Sequence, residues 1–358
     1  MNDKSNNLII SRVLQKWYAI HKRDLPWREN SDAYRVWISE IILQQTRVTQ
    51  GLPYFLRFME NFPDVHSLAI APEEKVLKLW QGLGYYSRAR NLHAAAKQIV
   101  SDFNGVFPRE YPDVLSLKGV GAYTAAAITS IAYNQPYAVI DGNVDRVLSR
   151  LFAINEAVNS AKGKKMIREI ADDIIDPENP GTHNQAIMDF GAMICTPATP
   201  QCGECPLQGF CIAFERNEVK EYPIKNRQKT VRHRYFNYFH IEVSDKTYIR
   251  ERKGSDIWKN LYEFPLIETE EKKDLAELQV LPAFKELFSD ARKPSFQHRA
   301  NLKHVLSHQI IHADFYHVSF PRNYLNEEFG DAIEISQNTL QDFAVSRLTH
   351  KYLEKITD

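Results

Sequence analysis

Through the first two-thirds of the chain, apolar residues recur at spacings of three and four, as in LIISRVLQKWYAI (8–20), YRVWISEIILQQT (34–46), EEKVLKLWQGLG (73–84), RARNLHAAAKQIV (88–100) and AYTAAAITSIAY (122–133). That period belongs to helices that bury one face. Beyond residue 234 the texture changes. YFNYFHIEV (235–243), TYIRER (247–252) and IIHADFYHVSF (310–320) are rich in the β-branched and aromatic residues of strands. Between the two textures lies VKEYPIKNRQKTVRHR (219–234), with six Lys or Arg, one Glu and a proline. The expected division is an all-α domain over 1–216, a basic linker over 217–234 and an α+β domain over 235–358. No internal repeat is evident.

Two segments have the form helix, Gly-x-Gly, helix: QGLGYYSRARN with Gly82 and Gly84, and LKGVGAYTAAA with Gly119 and Gly121. Glycines in such a turn permit positive φ and bare the backbone N–H groups of the next helix, where a phosphate is stabilised. A C-cap glycine followed by a second helix has the same appearance.

Length and composition add bounds. A chain of 358 residues accommodates two or three domains. The polar start, MNDKSNN, has no secretory apolar run, and no stretch approaches the ~20 apolar residues of a membrane helix. The expected setting is therefore the cytoplasm, beside the nucleoid in a bacterium. With 45 basic and 45 acidic residues the net charge is zero, which by itself selects no partner. The purely acidic run LNEEFGDAIEISQNTLQDF (325–343) reads as a solvated face. All four cysteines, Cys195, Cys202, Cys205 and Cys211, fall in CTPATPQCGECPLQGFC, spaced C-x6-C-x2-C-x5-C. In a reducing compartment such a group points to a metal centre rather than disulfides. Its thiolates suit either a zinc ion or a 4Fe-4S cluster.

LPWR (25–28), WISEIILQQTRV (37–48), LWQGLGYYSRARNLHAAA (79–96), LKGVGAYTAAAI (117–128), VIDGNVDRVLSR (139–150), NQAIMDFGAMIC (184–195) and the cysteine loop follow one another over nearly all of the first 215 residues. In that order they resemble the helix-hairpin-helix, endonuclease III-like superfamily of base-excision DNA glycosylases, and within it the MutY-type adenine DNA glycosylases. The resemblance implies a monomeric enzyme whose four cysteines hold a 4Fe-4S cluster. Its partner would be duplex DNA containing adenine opposite 8-oxoguanine or guanine.

Cutting an N-glycosidic bond to adenine near neutral pH needs an acid for the leaving base and an anion for the cationic sugar. Glu40 sits beside Ile38, Ile41 and Ile42, where partial desolvation would raise its pKa, although a helix glutamate commonly faces solvent. Asp141 precedes Gly142, the position of a turn or N-cap aspartate. The resemblance makes Glu40 the acid that protonates the adenine ring and helps activate water. It makes Asp141 the carboxylate that stabilises, or transiently bonds, the cationic sugar carbon, with Asn143 and Tyr123 hydrogen-bonding around it. Bifunctional relatives carry a lysine where Tyr123 stands, two residues after the second hairpin glycine; without that amine, a monofunctional glycosylase using water is expected. Lys118 replaces the family's usual proline and is expected to touch phosphate with Gly119, Val120 and Gly121.

A base acted on within a duplex must be extruded from the stack. Gln45 and Tyr85 resemble the residues that enter the duplex near the lesion pair, with Leu83 beside them and Thr46 facing the lesion. Arg28, Leu43 and Gln185 match positions around the extruded adenine. In the second domain, IWKNLYEFPL (257–266) and LKHVLSHQIIH (302–312) resemble the Nudix-like domain that senses 8-oxoguanine. Leu306, in place of the usual phenylalanine, Ser307 and His308 would form its recognition loop. The glutamate-rich metal-binding helix of a Nudix phosphohydrolase is missing from the sequence, so recognition rather than hydrolysis is implied. Two alternatives remain: a thymine or uracil mismatch glycosylase on the same scaffold, and a non-catalytic iron–sulfur DNA-binding protein. The second domain and the QQT run argue against the first; the second would leave Glu40 and Asp141 idle.

Overall fold

The helical region opens with α1 (Lys4–His21), α2 (Ala33–Leu43), α3 (Val48–Asn61), α4 (Val65–Ile70), α5 (Glu73–Trp80), α6 (Ser87–Asp102), α7 (Tyr111–Ser116) and α8 (Ala122–Tyr133), of which α1, α2, α5, α6 and α8 are the five segments with a helical period. Less regular sequence adds α9 (Gly142–Leu151), α10 (Ala161–Ile174) and α11 (Pro180–Met193). Local chemistry sets their ends. Asp32 and Ser160 cap α2 and α10 by accepting from the backbone N–H groups of Arg35 and Gly163. Asn134, left-handed at φ 55°, stops α8. The computed structural model describes all residues but 1–3, 227–230, 255, 289–293, 307, 321–328 and 358.

The chain divides into two compact units, Met1–Ile70 with Asn91–Arg227, and Ala71–Arg90 with Gln228–Asp358. In the first, α1 packs on α10 and α11, α2 on α3 and α8, and α11 on α8 and α9. Leu14, Ala127, Leu148, Ile167, Ala186 and Phe190 form part of its core. Close backbone approach explains two glycines of α11. A Cβ on Gly181 would lie 2.6 Å from the Ser130 carbonyl, and one on Gly191 would lie 2.7 Å from the Cβ of Asn143. Part of the stretch expected as linker is folded here: Tyr222 is buried, and the Val219 and Tyr222 carbonyls accept from Arg150.

The second unit holds a mixed sheet of β1 (Arg232–Val243), β2 (Lys246–Glu251), β3 (Tyr262–Glu263), β4 (Leu266–Thr269), β5 (Ser295–Val305), β6 (Gln309–Ser319) and β7 (Ile333–Ser336). The order is β3-β2-β1-β6-β5, with β4 also on β1 and β7 on β2. β1 runs parallel to β6, and the other pairs are antiparallel. Being central, β1 buries Tyr238, Phe239, His240 and Ile241 in succession, which is why it shows no clean alternation. The short helices α12 (Ile212–Glu215), α13 (Leu275–Gln279) and α14 (Pro282–Leu287) and the longer α15 (Arg347–Thr357) complete the chain, α15 packing on β5. This is the α+β arrangement expected from the texture. The grouping of Ala71–Arg90 with it was not: that segment has the texture of the helical region, but its long-range partners lie near residues 259 and 341–345.

A buried polar bridge ties α1 to α11. Ser11 Oγ lies 2.6 Å from His183 Nδ1, and Gln15 donates both to Ser11 and to Asp176. Burial lowers the pKa of His183 to about 4, so the fold favours its neutral form. Its contribution to stability is fully present above the unfolded value near 6.5 and is lost as pH falls toward 4. Urea unfolding should show a His183→Gln variant losing on the order of 3 kcal/mol of the wild-type decline across that window. An equal decline in both proteins would exclude His183 as the cause.

Candidate active site

Helices α2, α3, α8, α9 and α11 of the first unit converge on one cavity of about 550 Å³. α2 contributes Glu40 from a turn whose neighbours Trp37, Ile38, Ile41 and Ile42 are buried. The first turn of α8 contributes Tyr123, the N-terminus of α9 Asp141 and Asn143, and α11 Gln185 and Met188. Arg28, Leu43 and Thr46 line the same space.

The two carboxyls meet different surroundings. Tyr123 donates from its hydroxyl to Glu40 Oε2 at 2.7 Å, with Met188 Sδ at 3.3 Å. Burial pushes the Glu40 carboxyl up to about 7; the negative charge of Asp141 adds to this, while the Tyr123 hydrogen bond and Arg28 oppose it. Asp141 is instead the N-cap of α9. Its Oδ1 accepts from the backbone N–H groups of Asn143 (2.9 Å) and Val144 (2.8 Å), and its Oδ2 from the Asn143 side-chain amide (2.8 Å). A helix N-terminus stabilises negative charge.

Arg28 is fixed by a residue the sequence reading missed. Asp189, fully buried on α11, accepts hydrogen bonds from the two terminal guanidinium nitrogens of Arg28, at 2.8 and 3.0 Å, and from Arg23 Nε at 3.1 Å. Burial alone would raise the Asp189 carboxyl, but the hydrogen bonds from Arg28 and Arg23 hold it below the usual range. The only sequence signal is its place one turn after Gln185. Gln185 Oε1 accepts from the Tyr18 hydroxyl at 3.0 Å.

The expected DNA-contact residues lie in both units. Gln45 is exposed in the left-handed conformation (φ 55°), and the Thr46 hydroxyl donates to the Gln44 carbonyl at 3.3 Å. In the hairpin between α7 and α8, Lys118 and Gly121 are exposed, Val120 is buried, and Gly119 turns at φ 77° against Asn91. Leu83 and Tyr85 belong to the second unit; Leu83 is buried and Tyr85 half-buried at φ 49°. In the β5–β6 turn, Leu306 is half-buried and His308 exposed, while Ser307 lies outside the described residues.

The four cysteines line one cavity of about 30 Å³, together with Arg150, Val147 and Phe190. Arg150 donates to Cys195 Sγ (3.3 Å) and to the Thr196 and Pro197 carbonyls. One turn earlier, Arg146 donates to the Cys195 and Gly191 carbonyls, each at 2.7 Å, and to Asn143 Oδ1 at 2.9 Å. Thus α9 joins the loop to the Asp141 cap. Among the described residues no group of three or more His, Cys, Asp or Glu forms a single metal-ion site. Four convergent soft donors beside a guanidinium fit a thiolate-held centre.

A helical unit with this cavity, followed by a mixed-sheet unit, has the make-up of a base-excision repair glycosylase. Residues 38–177 match the model of the HhH-GPD superfamily of base excision DNA repair proteins, and residues 237–355 that of the NUDIX domain. The chain is 38% identical to the adenine DNA glycosylase of Buchnera aphidicola subsp. Acyrthosiphon pisum over 265 residues, covering 74% of this chain and 76% of the relative. It is 31% identical to that of Schizosaccharomyces pombe (94% and 86% covered) and 42% identical to that of Homo sapiens (58% and 40% covered). The chain belongs to the adenine DNA glycosylase family. Among solved structures, a thermostable thymine-DNA glycosylase superposes with TM-score 0.55 at 28% identity, covering 60% of this chain and all of that one. An endonuclease III–DNA complex shares the fold of the first unit, with TM-score 0.51 at 23% identity, covering 61% of this chain and 99% of that one.

A Tyr123→Phe substitution removes a hydrogen bond that favours the ionised Glu40. The Glu40 carboxyl should then titrate at higher pH than in the wild type, as read by ¹³C NMR of labelled glutamate. An unchanged or lower value would contradict the pairing.

Proposed function

We propose that the chain hydrolyses the N-glycosidic bond of adenine paired with 8-oxoguanine or guanine in duplex DNA, leaving an abasic site with the strand intact. The observation that carries this reading is the pairing, in one cavity large enough for a nucleoside, of a carboxyl raised to about 7 with a carboxylate at a helix N-terminus. Protonated Glu40 donates to a ring nitrogen of the extruded adenine, so that the base departs neutral. The C–N bond breaks with its electron pair going to the base, and positive charge develops on the sugar. Asp141, fixed by Asn143 and Val144, faces that charge, and water then adds to the sugar carbon as Glu40 takes back a proton. Arg28, Leu43 and Gln185 shape the adenine pocket. Tyr123 holds Glu40 and, unlike a lysine, offers no amine for a Schiff base, so no strand cleavage follows.

Gln45 and Tyr85 enter the duplex at the mispair with Leu83 beside them, Thr46 faces the lesion, and the Lys118–Gly121 hairpin binds phosphate. Leu306, Ser307 and His308 read the oxidised guanine. Cys195, Cys202, Cys205 and Cys211 hold a 4Fe-4S cluster that fixes the loop against α9; a cluster of this kind can also transfer electrons.

Single-turnover assays on adenine opposite 8-oxoguanine, guanine and thymine test the activity. Release is expected opposite the first two, with strand breaks appearing only after alkali. Asp141→Asn should bind the duplex normally while base release falls by about 10²-fold or more. Because the acid form of Glu40 is lost as pH rises through about 7, the wild-type rate should fall across that value. Failure to release adenine by protein with its loop intact would sink the assignment. Elemental analysis should find iron and sulfide that disappear in Cys205→Ser; zinc in their place would refute the cluster.

A further inference from the structure

The turn QGLGYY (81–86) between α5 and α6 contains Gly82 at φ 101°, Gly84 at φ 75° and Tyr85 at φ 49°. A tyrosine in the left-handed region is held against its own preference, so contacts outside it must fix the conformation. Some are local. The Trp80 indole N–H and Arg88 both donate to the Gly84 carbonyl, at 3.1 and 3.2 Å, and the Arg88 guanidinium lies 5.8 Å from the Tyr85 ring centre.

The decisive ones come from about 260 residues further along, within the same compact unit. The Tyr86 hydroxyl accepts from the Gly82 N–H (3.4 Å) and donates to the Val345 carbonyl (3.0 Å). The Lys78 ammonium donates to the Phe343 carbonyl (3.2 Å), the Gln341 carbonyl and Gln81 Oε1 (3.2 Å), and that oxygen also accepts from the Val345 N–H (3.5 Å). Trp80, Tyr86, Ala344 and Val345 are buried. The segment is tied to the sheet where the Tyr262 N–H donates to the Ala344 carbonyl at 2.8 Å. It also leads directly into α15, which packs on β5, the strand that ends at Val305, just before the turn that holds Leu306 and His308.

We propose that the segment Gln341–Val345 moulds the turn that presents Tyr85 to DNA, with Lys78 and Tyr86 as positioning residues. The unit that reads the lesion then also carries Tyr85, one of the residues that enter the duplex. This rests on the reading of Tyr85 as a residue that enters the duplex. Losing the Tyr86 hydroxyl would take a partner from the half-buried Gly82 N–H and from the carbonyl of buried Val345, and Tyr85 would relax from its strained conformation.

The test uses full-length Tyr85→Ala, Tyr86→Phe, Lys78→Met and the double variant Tyr85→Ala/Tyr86→Phe, each checked by thermal melting. The substrate is a duplex with adenine opposite 8-oxoguanine and 2-aminopurine beside the lesion. Tyr85→Ala should reduce the fluorescence rise on binding and slow base release on the order of tenfold or more. Tyr86→Phe and Lys78→Met should do the same, and the double variant should be no worse than Tyr85→Ala alone. A merely structural role would give additive losses. Additive losses, or a wild-type fluorescence rise in both Tyr86→Phe and Lys78→Met, would overturn the proposal and leave the role of Tyr85 standing. Wild-type behaviour of Tyr85→Ala would overturn both. If Tyr86→Phe does not fold, Lys78→Met and its double with Tyr85→Ala carry the same comparison.

Discussion

The hydrogen bonds from the N-terminus of α9 to the Asp141 carboxylate are the constraint around which the site is built. Two backbone N–H groups and the Asn143 amide fix both oxygens, so the anion points into the cavity before any substrate arrives. The helix behind it is held as firmly. Gly191 lets α11 approach Asn143 closely, Arg146 ties Asn143 to the Cys195 carbonyl, and Arg150 grips the cysteine loop one turn on. Residues 143, 146 and 150 share a helix face because three and four steps each span about one turn. The loop of cysteines thereby acts on the site through the placement of one helix.

Against that fixed anion, Glu40 has the opposite environment. It gains one hydrogen bond, from Tyr123, and loses most of its water. Two carboxyls in one cavity can divide acid and anion roles only if their surroundings separate them in this way. The Asp189 pair performs a related service for Arg28: a buried aspartate accepts two guanidinium groups, so that one of them faces the cavity at a set angle. Preorganisation of this kind places the charges before reaction and avoids rearranging them during it.

The second unit applies the same physics to backbone shape. The turn at Gly82–Tyr85 adopts conformations that a free peptide would seldom visit, and the residues flanking it, Lys78, Gln81 and Tyr86, are held by backbone groups supplied near the C-terminal end of the chain. Backbone groups are suited to this, since a carbonyl in a buried segment has a fixed position and must find a donor.

The sequence by itself determined the elements and much of the chemistry's location. Spacings of three and four marked the helices, aspartate before glycine marked the α9 cap, and the cysteine spacing marked the loop, because each is a local pattern with a local cause. Family resemblance directed attention to Glu40, Tyr123 and Gln185, which the fold does bring into one cavity. What only the tertiary structure decided is everything that depends on which distant surface covers a residue. The pKa of Glu40 depends on burial by α8 and α11, the pairing of Arg23 and Arg28 with Asp189 spans more than 160 residues, and the grouping of Ala71–Arg90 depends on carbonyls some 260 positions away. Periodicity records that a face is buried. It carries no information on what buries it, and desolvation and hydrogen bonding are set by that partner.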